Sequence, residues 1–369
     1  MKMKSIIAVA AIWITLFAET SFALIILSQK VRILVTSAAP LGTQDFQTRC
    51  NAAGVVKCVG FDDATDFNIG SGGTNGAYGA NSGIVPPSGT SDFSRATRDT
   101  SVKASGGSSL KFSIPPNSSA DASGSYFTNF SQDLSLQFDG GSDFFIQWRQ
   151  KFDQAMLNQF LALNGDFSGF KQIIIGTGDK SGCTISNNAN GQCQSSCSSL
   201  ETVATNLYSA GFPRMYNSCT GSASHGPYDG FYEPFGAYDF KLQNAMPAPY
   251  CLYSQKDTSH FAPVGNCFGY RANEWMTFQI EIQTGPRIGD EFVGSHIRLW
   301  MAHEAMASQL VINWGPYNLS AGKPADLERY GKLWLTPYMT GKDPSKTYPQ
   351  ANTWYDELII SKSKIADPK

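Results

Sequence analysis

Charge is scarce in this chain. Asp, Glu, Lys and Arg make up 16% of 369 residues, and 28 basic against 30 acidic residues leave a net charge of −2. No basic stripe runs through it, which argues against nucleic acid as a partner. Long apolar runs are absent after residue 27, so no later segment can span a bilayer. Helical periodicity is also rare: only residues 154–163 place apolar side chains (Met156, Leu157, Phe160, Leu161) at i, i+3, i+4 spacing. Histidine occurs four times, and none stands in a metal-ligand spacing.

What the chain has instead is glycine, aromatics and cysteine. There are 35 Gly, 12% aromatic residues and eight Cys, a mixture that suits short strands joined by turns rather than helices or disorder. At the start, Met1-Lys2-Met3-Lys4 precedes an apolar run from Ser5 to Ala18, and Ser21-Phe22-Ala23 offers a small-x-small cleavage site. That reads as a signal peptide over residues 1–23, with an uncleaved anchor as the alternative. Residues 24–44 read as a linker and 45–369 as one domain, its first strand opening near Phe61. The expected location is secreted or cell-surface, with the periplasm as a variant, and no membrane attachment after cleavage.

In that setting the even count of Cys50, Cys58, Cys183, Cys193, Cys197, Cys219, Cys251 and Cys267 reads as disulfides. Local pairing gives Cys50–Cys58 and Cys251–Cys267; the pairing among the other four stays open. Cys193-x-x-x-Cys197 alone is too little for a zinc site.

Period-2 alternation recurs along the chain. It appears at 110–114, 134–138, 144–152, 276–283, 297–301 and 330–338, with a more fully apolar strand at 171–175 and a closing strand at 354–361. Strands with one apolar and one polar face imply an all-β fold, an antiparallel sandwich. Residues 181–270 carry most of the cysteines and few strand signals, and read as a long disulfide-rich insertion.

Three segments resemble strands of the concanavalin A-like lectin/glucanase jelly-rolls: Asn273–Ile280, His296–Ala302 and Thr353–Ser361. Among those folds the chain is distantly similar to alginate- and glucuronan-type polysaccharide lyases. The resemblance implies an Arg-bearing strand, a Gln-x-His strand and a Tyr-x-Lys-x-x-x-Tyr strand on one concave sheet. Arg149 with Gln147 matches the first. Gln172 matches the second, but Ile174 stands where the histidine is expected. Tyr330 and Lys332 begin the third; Tyr338 lies two residues late and Thr336 fills its place.

The polar face expected of the 330–338 strand, Tyr330, Lys332, Trp334, Thr336 and Tyr338, offers flat aromatic area and positive charge, suited to an acidic polysaccharide. The bland reading is an aromatic face covered by the insertion. For β-elimination, Arg149 with Gln147 or Gln172 would neutralise the carboxylate. Tyr338 or Tyr330 would move protons, since a cation beside a phenol favours the phenolate. A histidine base would have to come from His225, His260 or His303. Hydrolysis needs two flanking carboxylates. Glu281 stands alone on its strand, and Asp229 and Glu233 fall in a loop. No cofactor is required, while a structural calcium between Asp62 or Asp63 and Asp356 is a candidate. Asn117, Asn129 and Asn318 match the glycosylation acceptor pattern. Three functions remain: a lyase acting on an acidic polysaccharide, a non-catalytic carbohydrate-binding or adhesion module, and a structural coat protein. Oligomeric state is not legible in the sequence.

Overall fold

In the computed structural model the described residues are 41–68, 82–85, 96–116, 124–161, 169–181, 183, 192–194, 200–207, 213–217, 268–321, 328–340 and 347–369. They form an antiparallel β-sandwich of two sheets, as the alternation implies.

The larger, nine-stranded sheet is built around β16 (Ala351–Ser361) and β6 (Asp143–Phe152). From β6 it continues through β10 (Trp275–Gln283) and β12 (Glu291–Ala302), whose far side takes β13 (Gln309–Ser320), while the short β11 (Arg287–Ile288) extends the β10 edge of β12 in the same register. On its other edge β16 pairs β4 (Ser109–Ile114) with its first half and β1 (Val55–Val59) with its second; β3 (Thr97–Asp99) lies beyond β4. The seven-stranded sheet runs β2 (Ser82–Val85), β5 (Ser125–Asn129), β14 (Tyr330–Leu335), β7 (Gly169–Thr177), β8 (Glu201–Leu207), β9 (Arg214–Asn217), with β15 (Met339–Thr340) against β7. First and last strands are neighbours, and α2 (Gln154–Leu161) follows β6 where helical spacing is found.

The alternating residues set the register. Phe278 on β10 stands between Trp148 on β6 and Met301 on β12, and all three point between the sheets. The Trp148 and Phe278 rings stack at 5.1 Å, and Phe138 stacks on Phe144 at 4.4 Å. A one-residue slip would turn this whole row to the other face of the sheet.

Four expectations are corrected. Residues 41–44 belong not to a linker but to α1 (Leu41–Cys50), which is tied to β1 by the Cys50–Cys58 disulfide; the first strand is therefore Val55–Val59. Leu134 to Phe138 is no strand. Leu134 sits in a turn with φ 60°, and Phe138 alone bridges to Tyr330. Two strands, β2 and β3, lie within 68–109, and two more, β8 and β9, lie within the insertion. Finally, β6 and β14 belong to different sheets, so Arg149 and Lys332 cannot line one face.

Candidate functional site

The outer face of the seven-stranded sheet gathers chemistry that the sequence placed only in part. Alternation along β14 turns Leu333 and Leu335 into the core and Lys332 and Trp334 outward. Cross-strand pairing then builds two rows. Asn129, Lys332, Gly176 and Glu201 stand side by side, as do Phe127, Trp334, Ile174, Val203 and Tyr216. The second row is an apolar belt, buried throughout.

At one end of the face lies a buried ion pair. Lys332 and Asp179 are both 0% exposed, and the ammonium reaches the two carboxylate oxygens at 2.8 and 3.0 Å. Asp179 also accepts from Asn129 Nδ2 (3.0 Å) and the Gln194 N–H (2.7 Å), and Lys332 donates to the Gln194 carbonyl at 3.1 Å. The Lys332 stem lies over Phe127 and Trp334, with the ammonium 4.7 and 5.4 Å from their ring centroids. Burial pushes Lys332 below its ordinary value while Asp179 pulls it back up. The charged form survives burial only because each partner is neutralised and hydrogen-bonded.

At the other end is Lys171. A bulge on β7 between Lys171 and Ile173 sets Lys171 outward, its ammonium 5.2 Å from the Tyr338 ring and 5.9 Å from the Tyr216 ring. Lys171 and Tyr338 are half-buried, and among the described residues Lys171 has no carboxylate partner.

The bulges also explain where other expected site residues went. On β7, Gln172 turns inward. It donates to Gln150 (3.0 Å) and accepts from the Tyr270 hydroxyl (2.6 Å), fully buried between the sheets. On β14, a register shift between Tyr330 and Lys332 sends Tyr330 into the core, against Phe144 and hydrogen-bonded to Thr202. The expected outward position of Tyr330 is thus overturned. Trp334, Lys332 and Tyr338 do share one face.

Gln147 and Arg149 lie on the far side of the molecule, on the outer face of the nine-stranded sheet. Gln147 accepts from Arg49 (2.8 Å) and donates to the Ala366 carbonyl (3.0 Å), beneath α1 and the C-terminal segment. Arg149 sits 3.8 Å from both Glu304 and Glu357, its guanidinium over Trp275. His303 follows the end of β12, stacked on Phe268 at 4.2 Å and bonded to the Gly269 carbonyl. Arg149, Gln172, His303 and Tyr338 therefore do not converge. His225 and His260, like Asp229 and Glu233, lie outside the described residues.

The acids proposed for calcium have other work. Asp62 accepts the Gly107 and Ser108 N–H groups, and Asp356 accepts those of Ala104 and Ser105, so the two clamp the loop 104–108 from either side. Asp63 caps the 3-10 turn Ala64–Phe67. No group of three metal-binding side chains occurs among the described residues. Asn129 is buried, which removes it as a glycosylation acceptor; Asn318 donates to Glu291, and Asn117 lies outside the described residues. Cys183 pairs with Cys193, settling half of the open connectivity, and Cys197, Cys219, Cys251 and Cys267 lie outside the described residues. No helix among the described residues is long and apolar enough to cross a membrane.

Asp179, Asn129 and Lys171 are the residues that sequence reasoning missed. Gly178-Asp179-Lys180 reads as a turn, and only the strand pairing brings Asp179 beneath Lys332.

The two antiparallel sheets define the class of the protein as a β-sandwich. No family model and no curated protein matches the sequence. Among solved structures, the chain is similar to a marine PL-14 alginate lyase from Aplysia kurodai, with 12% identity, TM-score 0.41, and coverage of 72% of this chain and 86% of that one. It is also similar to an endo-β-1,4-glucuronan lyase from the fungus Trichoderma reesei, with 11% identity, TM-score 0.37, and coverage of 74% and 90%. For an alginate lyase from a Chlorella virus the identity is 11%, the TM-score 0.32, and the coverage 73% and 90%.

Proposed function

We propose that this chain is an extracellular polysaccharide-binding protein that holds an acidic glycan at the open end of the seven-stranded sheet. The observation that carries this is Lys171, a cation without a carboxylate partner among the described residues, held between the rings of Tyr216 and Tyr338. A sugar acid needs a positive charge for its carboxylate and an amphipathic ring against its C–H face, and Lys171 with Tyr338 supplies both. The Cys50–Cys58 and Cys183–Cys193 disulfides support an oxidising compartment.

Binding without turnover is the better reading because Arg149 lies on the outer face of the other sheet, Gln172 points into the core, and His303 is engaged with Phe268 and the Gly269 carbonyl. Elimination is the second reading, and one feature favours it: the Tyr338 phenol adjoins the Lys171 cation on a half-exposed surface.

Calorimetric titration with alginate and glucuronan oligosaccharides tests both. Binding should weaken with salt, and Lys171→Ala should reduce affinity about tenfold, as losing one charge-assisted contact does. Unchanged affinity in that variant would refute the site. Ultraviolet absorbance from unsaturated product in the wild type, lost in Tyr338→Phe, would establish elimination instead.

A further inference from the structure

Two polar groups at the Lys332 end of this face lack partners among the described residues. Asn129 gives its amide N–H to Asp179, which leaves Asn129 Oδ1 buried without a hydrogen bond. Trp334 Nε1 is likewise buried and unpaired. The residues are 1% and 0% exposed. They flank Lys332: Asn129 is its cross-strand neighbour, and Trp334 follows two positions along the same face. An isolated buried donor or acceptor is costly, and a hydroxyl group, which both donates and accepts, can satisfy either kind.

Lys332 itself cannot take a carboxylate there, because its charge is committed to Asp179 and its third contact to the Gln194 carbonyl. The cover over this end is also defined. The Gln192–Gln194 segment is held down by the Lys180 N–H on the Gln192 carbonyl, by the Gln194 N–H on Asp179, and by the Cys183–Cys193 disulfide.

We propose that Asn129 Oδ1 and Trp334 Nε1 form a subsite for a neutral, hydroxyl-bearing sugar unit, closed by the disulfide-tethered segment 192–194. It rests on the glycan reading of this face and adds a division of labour: the acidic unit lies at Lys171, and a neutral unit lies at Asn129 and Trp334. Releasing the tether opens the subsite.

The test uses the full chain and titrates a neutral β-glucan hexasaccharide and an alginate hexasaccharide separately. In Cys183→Ser/Cys193→Ser the neutral probe should bind about tenfold tighter than in the wild type, and adding Trp334→Phe should remove most of that gain. Equal neutral-sugar affinity in the tethered and untethered chains overturns the proposal. Loss of alginate binding alone on Lys171→Ala, with neutral binding kept, separates this subsite from the acidic one. If the serine variant does not fold, titration of the neutral hexasaccharide into the wild-type chain before and after mild reduction decides: unchanged affinity on reduction refutes the subsite.

Discussion

Replacing Asp179 with asparagine strips the charge from the carboxylate that faces Lys332 while preserving shape. Both side chains are wholly buried, so the ammonium is left without a counter-charge in an apolar surrounding formed by Phe127 and Trp334. Breaking a buried pair in this way costs about 3–5 kcal/mol, and at about 2 °C per kcal/mol for a domain of this size the melting temperature should fall by about 6–10 °C. Differential scanning calorimetry at about pH 6 measures it. The double variant Asp179→Asn/Lys332→Met removes both charges and should recover most of the loss, because an apolar replacement of a buried pair is close to neutral. The pH dependence has a definite sign. Burial already holds Lys332 below its unfolded value of 10.5, and losing Asp179 lowers it further, so the folded variant sheds its proton before the unfolded chain does. The deficit of Asp179→Asn should therefore shrink as pH rises towards that value. A deficit unchanged between about pH 6 and 9.5, or a double variant no better than the single, would refute the account.

Asp143 is raised from 3.8 to about 6 by burial and by the neighbouring Glu281 carboxylate. Its folded form binds more protons than the unfolded chain between these values, so stability should fall as pH rises from about 4 to 6, and Asp143→Asn should flatten that part of a melting-temperature profile. Arg49 joins α1 to the sheet through Glu357 and Gln147, and pairs with Asp45 within the helix. Arg49→Ala leaves Glu357 buried, with Arg149 at 3.8 Å as its remaining cation, and should cost about 3–5 kcal/mol in urea unfolding. Gly106 holds φ +60° and lies directly against the Asp62 carboxylate, so a methyl group there would collide with both carboxylate oxygens. Gly106→Ala should therefore destabilise by about 1–3 kcal/mol and loosen the loop 104–108 to hydrogen exchange.

Much of the architecture was legible because alternation is a local signal. Met276, Phe278, Ile280 and Ile282 point inward as their spacing requires, and the whole of β10 follows. Failures occurred where one extra residue changes the phase. A bulge beside Gly331 turned Tyr330 into the core, and another on β7 took Gln172 there too. Nothing in a single strand announces such a shift. Sheet membership was harder still. The segments at 147 and 332 have the same polar-face pattern, yet the pairing that assigns them to opposite sheets is set by partners far along the chain. Lys332 was legible as a facing cation. Its neutralisation was not, because Asp179 sits in a turn 153 residues away in the chain. The helix over 41–50 escaped notice because Phe46 is the one firmly buried apolar residue among its described side chains, and Arg49 and a disulfide tie it down.

The placement of β16 has a consequence for how the molecule assembles. Residues 351–361 form the seam joining β6 on one side to β4 and β1 on the other. Until the ribosome has released that stretch, β1 has no partner, and β6 and β4 can pair only on their other edges, with β10 and β3. Productive folding of the larger layer is thus a late event, governed by long-range closure rather than by growth outward from the amino end.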